Sequence, residues 1–102
     1  MRPLKENERR IIDSNRHALT LLFGRNWHII DMLINSSHFS WPQQDYIESR
    51  TTMMDKAGCF LDILRRQSFA DFKKLVHALY KDDQPRFATM LLEGGGKATA
   101  IL

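Results

Sequence analysis

The side chains able to do chemistry are few and scattered. Four histidines occur, His17, His28, His38 and His77. No two of them, and none with Cys59, stand at the spacing of metal ligands. Cys59 lies among Ala57, Phe60 and Leu61 and reads as a small buried hydrophobe rather than a reactive thiol. Serine, histidine and aspartate are all present, but nothing orders them as a triad and no nucleophile elbow occurs. Gly94-Gly95-Gly96 lacks the spacing of a phosphate loop and follows no strand. The pattern therefore predicts no catalytic site, no metal and no cofactor. What remains is charge at helical spacing. Arg9 and Arg16 are seven apart, which puts them on one helix face with Arg10 beside them. Asp45 and Glu48 are three apart and are neighbours in the same sense. Such pairs put charge on one outer helix face, which serves solubility or contact with another surface rather than turnover of a substrate.

A chain of 102 residues is one domain, and its 43% hydrophobic content suffices for one core. The net charge is +3 and the isoelectric point about 9.3. Lysine and arginine are spread along the chain rather than gathered on one helix, which argues against a nucleic-acid surface. A small basic helical nucleic-acid binder is nevertheless the alternative reading. One cysteine excludes a disulfide within the chain and predicts a reducing compartment. The opening residues, MRPLKENERR, have no apolar core of a secretory signal, and no apolar run approaches the roughly 18 residues of a membrane span. The expectation is a cytoplasmic domain.

The charges must be positioned by helices. Residues Lys5 to Phe23 predict a first helix with the stripe Ile11, Ile12, Ala18, Leu19 and Leu22, bent at Ser14 and Asn15 and stopped by Gly24. Asn26 predicts the cap of a second helix, which buries Trp27, Ile30, Leu33 and Ile34 and ends near Ser36. Ser40 with Gln43 is a capping box, with Pro42 in the first turn and Tyr46 and Ile47 facing inward. Thr52 with Asp55 opens a fourth helix on Met54, Ala57, Phe60, Leu61 and Leu64; Arg65 and Arg66 complement its C-terminal dipole. Ser68 with Asp71 opens a fifth, carrying Phe69, Phe72, Leu75, Val76, Leu79 and Tyr80. Asp82 and Asp83 turn the chain, and Pro85 starts a sixth with Phe87, Ala88, Met90 and Leu91. Trp27 and Trp41 each begin a helix and are expected as core or staple residues. Residues 1–93 form the domain, and 94–102, GGGKATAIL, are expected as a linker or tail. Strand signals are absent. An all-α antiparallel bundle follows.

In this order the segments resemble the caspase recruitment domain, or CARD, of the death-fold superfamily. The residues that carry the likeness are Leu61-Asp62-Ile63-Leu64, then Phe69, Phe72, Ala78 and Leu79, then Gln84, Ala88, Leu91 and Leu92, with Asn15-Arg16-His17-Ala18-Leu19 in the first helix. It spans about residues 5 to 93. Gln67-Ser68 stands where many CARDs have an Arg-Gly turn, and the signature of death effector domains is missing.

The resemblance implies a six-helix antiparallel Greek-key bundle whose first helix is bent or broken. It also implies a non-catalytic module that binds another CARD and recruits a caspase or an adaptor in apoptotic or innate-immune signalling, with homo-oligomers or filaments as a further form. Carried onto this sequence, the basic face is Arg9, Arg10, Arg16 and Lys56, and the acidic face is Asp31, Asp45 and Glu48. Met53, Met54 and Gly58 stand where other CARDs often place basic residues, and Asp13 lies among the arginines. The implied partner is a CARD-containing protein, not a nucleic acid or a membrane.

Overall fold

A computed structural model describes residues 2–36 and 39–95. Its elements are α1 (Glu6–Ser14), α2 (Arg16–Arg25), α3 (Trp27–Ser36), α4 (Trp41–Glu48), α5 (Met53–Leu64), α6 (Phe69–Lys81) and α7 (Pro85–Gly95). The described residues contain no strand, only one isolated bridge between Pro3 and Ser68.

The expected bend in the first helix is a break. Asn15 leaves the helical region (φ −111°, ψ 18°), and its side-chain amide donates to Ile11 O at 2.9 Å. Competition between a short polar side chain and the backbone ends α1 there. α2 then runs one residue past Gly24. Asn26 closes α2 through its side-chain amide, which donates to Leu22 O at 2.8 Å.

The first two capping sites behave as their residue types require. Ser40 Oγ accepts from Gln43 N at 3.3 Å, and Gln43 Oε1 accepts from Ser40 N at 2.9 Å. Thr52 Oγ1 accepts from Asp55 N at 3.1 Å. The third does not: Ser68 makes no side-chain cap to α6, and Asp71 is instead buried and accepts from Gln67 Nε2 at 3.1 Å. Of the expected 94–102 tail, Gly94 and Gly95 complete α7 and the rest lies outside the described residues, as do Ser37 and His38.

α5 is the central helix. Ala57 to Leu61, Ile63 and Leu64 are all buried, so it is apolar nearly all round, as a helix enclosed on several sides must be. It packs against α2, α3 and α4. α1 packs on α7, α7 on α6, and α6 on α3. At the centre, Phe60 stacks on Phe39 with ring centroids 5.5 Å apart and meets Phe23 edge-on at 5.6 Å. Aromatic pairs in these geometries add roughly 0.5–1.5 kcal/mol to simple burial.

Five expected core residues are not in the core, among them Tyr80, which lies 38% exposed near the end of α6. Trp41 is 79% exposed, Tyr46 49% and Met54 39%. Ala18 is also exposed. α4 is only two turns long and fully buries Ile47 alone, which leaves Trp41 and Tyr46 exposed on its outer side. Leu4, Ile29 and Phe39, outside the expected stripes, are buried in their place. Trp27 packs against the core while partly exposed.

Candidate functional site

Arg16 is the first residue of α2, placed by the break at Asn15 to face α5. Its guanidinium forks onto Asp62, with Nη1 to Oδ1 at 2.6 Å and Nη2 to Oδ2 at 3.3 Å. Nη2 also donates to Gly58 O at 3.1 Å. Gly58 explains the approach. A Cβ there would sit 3.2 Å from Arg16 Nη2, so the missing side chain lets the cation rest against the α5 backbone. Glycine inside a helix costs about 0.5–1 kcal/mol relative to alanine; a Cβ here would make the Arg16 guanidinium shift by a few tenths of an ångström to keep its contact with α5. The hydrogen bonds to Asp62 raise the Arg16 pKa above its ordinary value, against the opposing effect of burial, and the charges of Asp62 and Asp13 add to them.

An open groove of about 710 Å³ surrounds this contact, between α2, α5 and the connection from α4. Thr20, Ser49, Arg50, Asp55 and the buried Cys59 share its walls with Arg16.

The other expected basic residues are also engaged. Arg9 donates to Leu4 O. Arg10 pairs with Glu6 one turn away at 3.2 Å, both well exposed. Asp13 takes a fork from Arg65, at 3.0 and 2.9 Å, and so ties α1 to the end of α5. Lys56 reaches Glu48 at 3.7 Å, which brings together two residues expected on opposite faces. Asp31 and Asp45 are exposed, and neither forms an ion pair among the described residues. The chain thus carries part of its own charge complement within the fold.

One site escaped the sequence reading. Arg2 forks onto the buried Glu8 at 2.8 and 2.7 Å and lies 3.9 Å above the Phe69 ring. Lys5 N donates to the same carboxylate at 2.7 Å, and Phe69 N donates to Arg2 O at 2.8 Å. The spacing of Lys5 and Glu8 was the available signal, since a glutamate three residues into a helix often accepts from the backbone before it. Burial works to raise the Glu8 pKa, but the bonds from Arg2 and Lys5, with their charges, outweigh it and hold the carboxyl below its usual value.

Among the described residues no group of three or more histidine, cysteine, aspartate or glutamate side chains is placed to hold a metal. His17 and His77 are exposed; His28 reaches Asp82 at 2.7 Å. No described helix is long and apolar enough to cross a membrane. No protein-family model matches this chain, no curated protein is significantly similar to it, and no solved structure matches it. The described residues form an all-α bundle with charged helix faces.

Proposed function

We propose that this chain is a non-catalytic protein–protein interaction domain of the CARD type, a six-helix Greek-key bundle with a broken first helix. It binds another CARD through charged helix faces and recruits a caspase or adaptor in apoptotic or innate-immune signalling. Two features of the architecture support the reading. The first helical span divides at Asn15. The packing of α2 on α5, α1 on α7 and α3 on α6 joins helices distant in sequence, whereas an up-and-down bundle joins neighbours.

The observation that carries the proposal is the exposure of Asp31 and Asp45 on α3 and α4 without an ion pair among the described residues. They are the free half of a charge-complementary contact. The basic half, on α1, α2 and α5, is held by Asp62, Glu6, Glu48 and the Leu4 carbonyl. A partner carboxylate reaching Arg16 must displace Asp62. That exchange of one carboxylate for another adds little net energy, so the charged contact contributes register and encounter rate more than affinity.

The test is a pulldown with CARD-containing candidates at low and high salt. Asp31→Lys with Asp45→Lys, and separately Arg16→Glu, should each weaken binding at least about tenfold (about 1.4 kcal/mol) with helicity intact. Rising salt should weaken the wild-type complex as well. Binding untouched by both reversals would remove the charged faces as the interface.

A further inference from the structure

Trp41 is the most exposed large apolar side chain described, at 79%, and the fold makes no use of it. It is the first residue of α4. A shallow groove of about 300 Å³ begins at the next residue, between α4 and the end of α5, lined by Pro42, Gln43, Tyr46, Ile63, Arg66 and Gln67. Ile63, 2% exposed, forms its floor. Tyr46 and Arg66 are exposed, and Arg66 is steadied by its Nε donating to Asp62 O at 3.1 Å.

We propose that Trp41 and this groove form a twofold contact between two copies of the chain, the indole of each copy seated in the groove of the other. The size fits one aromatic side chain, since about 300 Å³ is the lower end of small-ligand pockets and too little for a helix. The chemistry fits an indole, with an apolar floor and a guanidinium at the rim able to lie against the ring. The placement fits a second copy. Inserting residue and receiving groove are adjacent on one helix, so a single twofold axis satisfies both insertions at once. Charge permits it too: Asp45, one turn after Trp41, and Arg66 on the rim give the patch both signs, so it faces its own image with attraction available across the axis. Tryptophan and arginine are the residue types that most often carry the energy of a contact. The proposal shares Asp45 with the CARD-type acidic face but rests on Trp41 and the groove, which belong to neither charged face, and does not depend on that reading.

The experiment is sedimentation equilibrium of the full chain from about 1 μM to about 1 mM, a range that captures weak dimers. Tryptophan emission of Trp27→Phe, which leaves Trp41 as the sole emitter, is followed in parallel. The expected result is a dimer at high concentration, with Trp41 emission moving to the blue as mass rises. Trp41→Ala and Arg66→Glu should each raise the dissociation constant at least about tenfold, with circular dichroism and Tm unchanged in Trp41→Ala. A monomer throughout the range overturns the proposal. So does a dimer that forms with unchanged Trp41 emission, or one that survives Trp41→Ala but is lost in Arg16→Glu, which would place the contact on the charged faces.

Discussion

Asp83 sits at φ 59° in the turn between α6 and α7, the left-handed region that side chains with a Cβ seldom occupy. It is there because the end of α6 demands it. Gln84 N donates to Leu79 O at 2.8 Å and Asp83 N to Tyr80 O at 3.3 Å, the bond pattern that closes a helix around a left-handed residue, usually glycine. Asp83→Gly should therefore raise stability by about 0.5–1 kcal/mol, after allowing for the greater freedom of glycine in the unfolded chain. Urea midpoints for the two chains measure it; a loss of stability would show that the Asp83 side chain contributes more than its strain costs. Arg16 is a second case in which one residue governs geometry. Both ends of the Arg16–Asp62 pair are partly solvated, so screening limits its worth. Arg16→Ala should cost about 1 kcal/mol, the upper end for exposed pairs, because the fork and the Gly58 carbonyl are lost together.

At the scale of elements, the segment before α1 acts as a clasp. Pro3 bridges Ser68, Arg2 and Phe69 share a backbone hydrogen bond, and Leu4 is buried. Glu8 anchors the clasp from inside α1. Its carboxyl titrates below its ordinary value of 4.5 when folded, so the folded state binds that proton less readily than the unfolded state does. The stabilisation is fully present above the unfolded value and is lost as pH falls through the lower folded value. Glu8→Gln should cost about 2 kcal/mol at neutral pH, because the amide cannot accept the fork that Arg2 offers. The gap between wild type and Glu8→Gln should be smaller at an acid pH below the lowered folded value than at neutral pH, because there the wild-type carboxylate is protonated. Denaturation curves at the two pH values decide it. An unchanging gap would mean that the clasp is held by its backbone bonds and by Leu4.

At the scale of the molecule, part of the charge is settled inside the fold, and the surface features left over include two acidic residues and an aromatic. Arg16, Arg65, Lys56 and Arg2 each take a carboxylate from another part of the chain. These pairs leave the net charge of +3 unchanged but tie up several of the cations, and DNA binding of this chain should be weak. Whatever binding is seen should vary little with salt, because few phosphates would be neutralised; a steep decline measured by fluorescence anisotropy would reverse that conclusion. Asp31, Asp45 and Trp41 are instead open to another protein.

The helices themselves were legible in the residues. Ser40 with Gln43, Thr52 with Asp55, Pro85 and the break at Asn15 act over three or four residues, and such local hydrogen bonding is written in the chain. The periodic stripes of α5 and α6 named Phe60, Leu61, Leu64, Phe72, Leu75 and Leu79 as core for the same reason. Pairing between distant residues was not legible. Nothing local says that Arg16 will find Asp62 or that Arg65 will find Asp13. Nor does an aromatic at the start of a helix reveal whether another element covers it: Trp27 is packed and Trp41 is bare. Periodicity tells which side of a helix is apolar, but only the arrangement of the other helices decides whether that side is buried, which cation keeps a partner, and which groups remain outside to meet another surface.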